Sequence, residues 1–299
     1  MMPSMHNGEM TLHDKQIEPL EHNSELGVYL KQPSLDNDCV RDVYFAQFNP
    51  KHRLLASAGQ GFIAHLWDLR NDEFYKSFRR IEMPHIRSEG DNQNTDVSSV
   101  HWNTAGDKLL TSSSDMVARV WRVCSDATLE IWRAKNFHEY LMQSKFCDDD
   151  DNLVATGGLM SQIYVWNCAT PDCREVACFD HSLIDHNFKG LEIEWQNAKQ
   201  VAVAGKSKFI YLWSVDRPNE PLIKWEGHQD VVEQIQWDPN KRLLASCSTS
   251  ENLVYIWSPE KTGPELQLNK PGESAVATIR WSNDCGGDES MLAAGCSDG

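Results

Sequence analysis

The chain has 299 residues, 40% hydrophobic and 24% charged, which is enough apolar material for a sizeable core. Its 28 Lys and Arg stand against 44 Asp and Glu, a formal charge of −16. That balance argues against phosphate backbones and anionic membranes, which attract clustered positive charge, and favours proteins or basic peptides as partners.

Nine cysteines are present and none is spaced CxxC, while Met1–Gly8 lacks the basic and apolar stretches of a signal peptide. Free thiols in a reducing compartment are therefore expected. The one long uncharged run, Leu153–Pro171, contains Gly157-Gly158, Gln162 and Asn167 and is too polar to be a membrane helix.

In chain order, residues 1–24 read as a disordered acidic tail with no amphipathic period, and residues 25–299 as one repetitive domain. Leu26-Gly27-Val28-Tyr29-Leu30 reads as an outer strand. The first unit, near 40–81, has a strand ending at Phe48, a turn at Asn49-Pro50 and a small-residue strand Leu54–Ser57. A strand ending at Trp67 and a weak outer strand at Ser77-Phe78 complete it. The same order recurs near 95–133 (Trp102, Leu109–Ser112, Trp121, Thr128–Trp132) and near 139–180 (Phe146, Leu153–Thr156, Trp166, Glu175–Phe179). It recurs again near 188–226 (Trp195, Val201–Ala204, Trp213, Leu222–Trp225) and near 230–269 (Trp237, Leu243–Ser246, Trp257). A sixth unit, 274–299, shows Trp281 and Leu292–Ala294 only.

The closing tryptophans are 54, 45, 47 and 44 residues apart, and each follows its unit's first aromatic by 18 to 20 residues. A four-stranded unit of about 45 residues is a propeller blade. The predicted fold is all-β, a propeller of about five and a half four-stranded blades forming an open arc. Small residues suit the strands that crowd the axis, and aromatics fill the wider gaps between sheets.

Gly227-His228, the Trp-ended strands and Trp237-Asp238-Pro239 resemble WD40 repeats. Three stretches resemble the transducin-beta-like (Ebi-like) subunits of histone deacetylase corepressor complexes: His85–Asn103 with its polar insertion, Leu191–Asn197, and Trp225–Ser248 followed by Ile279-Arg280-Trp281-Ser282. The resemblance implies a nuclear, non-catalytic scaffold in transcriptional repression, with corepressor or deacetylase subunits and histone tails as partners. A cytoplasmic location and a substrate receptor of a ubiquitin ligase are the alternatives. The family closes its ring with eight blades and carries a helical dimerisation motif and an F-box-like region, none of which is read in this sequence.

The family's blades often hold a His–Asp–Ser/Thr–Trp hydrogen-bond network, with Asp six residues before Trp. Asp115 stands there before Trp121, whereas Gly61, Met160, Ser207 and Glu251 precede Trp67, Trp166, Trp213 and Trp257. Gly-His occurs once, at Gly227-His228. Asp115 and His228 are therefore read as structural, with stability resting on aromatic packing more than on the network.

No motif points to catalysis, a cofactor or a metal. Ala204-Gly205-Lys206-Ser207 resembles the end of a phosphate loop, but Gln200 replaces its first Gly and a strand follows instead of a helix. Cys173, Cys178, His181 and His186 invite a zinc reading, yet two residues between Cys178 and His181 are too few for the usual loop between ligand pairs. Asp148–Asp151 lacks the alternating spacing of a calcium loop. What remains is a rim where strand starts and hairpins gather: Asp42, Tyr44, Gln60, Asp96, Ser98, Ser114, Tyr140, Met142, Lys189, Lys206 and Glu233. Aromatic, acidic and small residues together suit peptide recognition.

Overall fold

The computed structural model describes residues 42–69, 79–85, 95–124, 128–134, 140–170, 173–248, 250–269, 274–282 and 290–297. The acidic tail and the Leu26–Leu30 strand expected from the sequence lie outside them. The described residues form 22 strands in an incomplete, open propeller, five sheets of four strands and one of two, paired antiparallel in sequence order.

Blade 1 is β1 (Val43–Phe48), β2 (Leu54–Gly59), β3 (Ile63–Asp68) and β4 (Arg79–Pro84). Blade 2 is β5 (Val97–Trp102), β6 (Lys108–Ser113), β7 (Val117–Val123) and β8 (Thr128–Ala134). Blade 3 is β9 (Leu141–Phe146), β10 (Leu153–Gly158), β11 (Gln162–Asn167) and β12 (Arg174–Asp180). Blade 4 is β13 (Gly190–Asn197), β14 (Gln200–Gly205), β15 (Phe209–Ser214) and β16 (Ile223–Glu226). Blade 5 is β17 (Gln234–Trp237), β18 (Leu244–Cys247), β19 (Leu253–Trp257) and β20 (Leu266–Asn269), and the last sheet pairs β21 (Val276–Trp281) with β22 (Leu292–Cys296).

The described outer strand of blade 1 is Arg79–Pro84, which pairs in unbroken register with Ile63 to Asp68, and the outer strand expected at Ser77-Phe78 lies outside the described residues. The second strands are buried along their length in blades 1 and 3, where Leu, Ala, Ser, Thr and Gly let neighbouring sheets approach. At Gly157 an added Cβ would meet the Ile163 Cδ1 at 2.6 Å. Apolar clusters fill the gaps between successive blades. One runs from Ala56 and Leu66 of blade 1 to Trp102 and Trp121 of blade 2, and another from Ile163 and Phe179 of blade 3 to Trp195 and Trp213 of blade 4. Trp67, Trp102, Trp121, Trp195, Trp213, Trp225, Trp237 and Trp257 are buried, while Trp166 and Trp281 are half-buried. Phe48 departs from the pattern at 67% exposure. The corresponding aromatics face the preceding blade, and no described sheet lies on that side of Phe48.

A repeated side-chain device fastens one blade to the next. The first strand of each blade leaves one edge unpaired, so its axis-facing amides must find acceptors elsewhere. The preceding blade supplies them. Gln47 Oε1 accepts from Trp102 N at 3.1 Å, Gln143 Oε1 from Ile193 N at 2.5 Å, Gln234 Oε1 from Ile279 N at 2.7 Å and Gln236 Oε1 from Trp281 N at 2.8 Å. Ser99 Oγ accepts from Ser144 N and His101 Nδ1 from Phe146 N, both at 3.2 Å.

The indoles of Trp102, Trp195 and Trp281 donate backward to the carbonyls of Gln47, Lys145 and Gln236 at 3.1 to 3.2 Å. The seam between blades 4 and 5 differs. Glu194 pairs backward with Lys145, and the buried Trp237 Nε1 has no partner among the described residues. There Lys241 bridges instead, donating to Trp195 O at 3.1 Å and pairing with Asp148, while Gln196 Nε2 donates to Lys241 O.

Candidate interaction rim

Hairpins between second and third strands meet the starts of the first strands at one end of the molecule. Gln60 N donates to Asp42 O at 2.8 Å, Ser114 N to Asp96 O at 2.9 Å, Leu159 N to Tyr140 O at 3.3 Å and Lys206 N to Lys189 O at 3.1 Å. Of the residues expected at the rim, Asp42 and Gln60, Asp96 and Ser114, and Lys189 and Lys206 are thus joined in pairs within their own blades, while Tyr140 is joined to Leu159. In blade 5 Glu233 N donates to Cys247 O, and in the last sheet Ser297 N donates to Ala275 O.

Individually these residues divide into exposed and built-in. Asp42, Tyr44, Gln60, Tyr140, Met142, Lys206 and Glu233 are exposed, while Asp96, Ser98, Ser114 and Lys189 are half-buried. Asp96 ties two parts of blade 1 to blade 2. Its Oδ1 accepts from Gly61 N at 2.9 Å and its Oδ2 from the Tyr44 hydroxyl at 3.3 Å. Partial burial and the Asp96 carboxylate raise the Tyr44 phenol above its ordinary pKa. Ser114 Oγ accepts from Asp96 N at 2.7 Å, and Ser98 Oγ donates to Leu141 O of blade 3 at 2.6 Å.

At the rim end of blade 3 the surface turns apolar. Tyr140, Met142, Leu159 and Met160 are exposed, and the connection from β12 to β13 adds Leu183, 89% exposed, and Ile184. Backbone bonds tie that connection to the hairpin: His181 N donates to Ser161 O, and Ile184 N to His181 O. Leu183 and Ile184 were missed by the sequence reading, which followed only positions in register with the aromatic landmarks, and Met160 was weighed only as the counterpart of Asp115 and not as part of the rim. A run of two aliphatics inside an otherwise polar connection is the signal for Leu183 and Ile184.

Beneath the rim the closing tryptophans are anchored by polar groups. Trp67 Nε1 donates to Ser57 Oγ, Trp121 to Thr111 Oγ1, Trp166 to Thr156 Oγ1 and Trp257 to Ser246 Oγ, at 2.8 to 3.1 Å. The network is fuller than the sequence implied, since four of the five closing tryptophans donate to a Ser or Thr hydroxyl. In blade 5 His228 Nε2 lies 2.6 Å from Ser246 Oγ while Nδ1 meets Glu251, so Glu251 takes the role expected of Asp. In blade 2 the histidine is His85, which follows Pro84 instead of Gly and lies 2.7 Å from Thr111 Oγ1. Burial, reinforced by the Arg119 charge, holds His85 well below the ordinary imidazole range.

Asp115 is buried, accepts from Val117 N at 3.0 Å and pairs with Arg119 at 2.5 Å. In blade 4 Val203 replaces the hydroxyl residue, and Trp213 Nε1 reaches His181 directly.

The residues weighed for other chemistry are placed differently. Lys206 and Ser207 lie in the β14–β15 hairpin, with the Ser207 hydroxyl donating to Asp185. Both His181 nitrogens are engaged, by Ser161 O and Trp213 Nε1, and the Cys173 thiol donates to Asn167 O, so the four zinc candidates form no ligand set. Asp148 and Asp151 serve as partners of Lys241 and Thr104 N.

Comparison with known proteins agrees with this architecture. The WD domain, G-beta repeat family matches residues 86–122 and 219–258. Human F-box-like/WD repeat-containing protein TBL1X is 26% identical over 234 residues, 77% of this chain and 38% of its own length. The mouse protein is 25% identical over 250 residues, 80% of this chain and 45% of its own length. WD40 repeat-containing protein HOS15 of Arabidopsis thaliana is 25% identical over 222 residues, 73% of this chain and 34% of its own length. The chain thus spans less than half the length of these curated relatives.

Proposed function

We propose that this chain, a divergent WD40-repeat protein similar to the transducin-beta-like proteins, is a non-catalytic scaffold that binds protein segments at its rim. The observation that carries this reading is the exposed apolar group at blade 3, Tyr140, Met142, Leu159, Met160, Leu183 and Ile184, on the same rim as the exposed Asp42. Aromatic, Met and aliphatic side chains at the centre of a patch with polar surroundings are the composition of a protein-binding surface. With a formal charge of −16, a basic segment bearing an apolar anchor is the electrostatically favoured partner.

Similarity to TBL1X and HOS15 supports the finer assignment, a nuclear role in transcriptional repression with corepressor or deacetylase subunits and histone tails among the partners. The test is affinity purification from native cells with the wild-type chain and a Met142→Asp/Met160→Asp variant. Recovery of deacetylase and corepressor subunits by the wild type, lost in the variant, supports the reading. Equal recovery by both places binding elsewhere, and recovery of ubiquitin-ligase subunits alone overturns the repressor assignment.

A further inference from the structure

We propose that Cys168 and Cys173 form a dithiol site that a low-molecular-weight disulfide oxidises to a cross-strand bridge at the end of the β11–β12 hairpin. Antiparallel pairing of β11 with β12 ends at Asn167 opposite Arg174. Cys168 and Cys173 are therefore the next opposed positions, one rung beyond it, with Ala169 to Asp172 between them. Opposed antiparallel residues have Cα atoms about 4.5–5.5 Å apart, inside the range of roughly 4.4–6.8 Å that a disulfide bridges. Opposed residues also project to the same face, and both side chains pack against the apolar cluster containing Phe146 and Val154.

The two thiols are free and half-buried. Cys173 Sγ donates to Asn167 O at 3.0 Å, which brings it against the peptide group that leads into Cys168. Cys168 N is held by Asn152 O at 2.7 Å, so the first strand's end is fixed. The nearby Cys173 thiol, together with burial, pushes the Cys168 pKa up. At Cys147, Cys178 and Cys247 the cause differs: burial chiefly holds those thiols up, to about 11, 11 and 12.

The chemistry balances with an added disulfide such as oxidised glutathione. Cys173, deprotonated, attacks one sulfur of the oxidant, forming a mixed disulfide and releasing one glutathione thiolate. Cys168 gives its proton to solvent and attacks the Cys173 sulfur, forming the Cys168–Cys173 bond and releasing the second. Two protein thiols are oxidised by two electrons and the glutathione disulfide is reduced to two thiols.

The test uses the purified full chain, fully reduced, then exposed to oxidised glutathione, alkylated and digested with trypsin without reduction. The tryptic segment 146–174 holds Cys147, Cys168 and Cys173. The expected product has lost two hydrogens and carries one alkyl group, on Cys147. Cys168→Ser is expected to stop at a glutathione adduct on Cys173, and Cys173→Ser to leave Cys168 alkylated. Three alkyl groups on the wild-type segment, a stable adduct on wild-type Cys173, or a bridge to Cys147 or Cys178 would each overturn the proposal. A wild-type result of this kind stands without the variants, should either fail to fold.

Discussion

The Trp213 indole donates its proton to the Nε2 of His181 at 2.9 Å, and this bond dictates the imidazole's state. Nε2 must be an acceptor, so the ring proton sits on Nδ1, which donates to Ser161 O at 3.0 Å. Phe188 stacks on the ring at 3.8 Å between centroids, and burial lowers the His181 pKa to about 4. In blades 2 and 5 a hydroxyl stands between histidine and tryptophan; blade 4 omits it and moves the histidine inward.

The first prediction follows from that neutral imidazole. A buried histidine with a depressed pKa contributes stability that is complete above about pH 6.5 and drains away as pH falls toward 4. Imidazole resonances of His181 should show the neutral Nδ1–H tautomer down to near pH 4. A titration midpoint between 6 and 7 would mean that the Trp213 bond does not persist.

Glu192 should act with the opposite sign. Burial, aided by Glu194 and opposed by Lys145, raises its carboxyl from 4.5 to about 7. The folded chain then holds a proton that the unfolded chain releases, so stability falls as pH rises through this window. Glu192→Gln should flatten that part of the profile, measured as urea midpoints at pH 5, 6, 7 and 8. Parallel profiles for variant and wild type would show that Glu192 is ionised throughout.

Ser246→Ala removes the oxygen shared by His228 and Trp257. A buried polar group left without a partner costs about 1–3 kcal/mol, so the variant should lose roughly that much in denaturant unfolding. Ser57→Ala, which strands only the Trp67 indole, should lose less. Equal losses would deny His228 a part in the network.

At the blade 3 to blade 4 seam, Gln143→Leu keeps the volume near the axis but leaves the Ile193 amide without its acceptor. Hydrogen exchange at Ile193 should quicken, and stability should drop by about 1–3 kcal/mol. Unchanged protection at Ile193 would show that the side chain is incidental.

Blade register was legible because two features coincide in every unit: a run of small residues that only a crowded strand tolerates, and tryptophans at near-constant spacing. The anchoring network was less so. His85 lacks its preceding glycine, Glu251 reaches His228 with one more methylene than Asp, and Val203 forces the Trp213–His181 contact. Each substitution preserves a hydrogen bond while breaking the expected letter. Phe48 shows the reverse error, since an aromatic letter in register says nothing of whether a sheet lies against it. The apolar end of blade 3 includes Leu183 and Ile184, whose connection follows no strand period.

Gln, Ser and His all serve as acceptors at the seams, so what crosses from blade to blade is an oxygen or nitrogen at a set reach, not a residue type. Blades of unlike sequence can therefore be transplanted into one another's places if the donor brings a lone pair one or three residues before its first aromatic. A graft with leucine at both positions would keep its hydrophobic fit and still leave an amide of the adjoining blade dry.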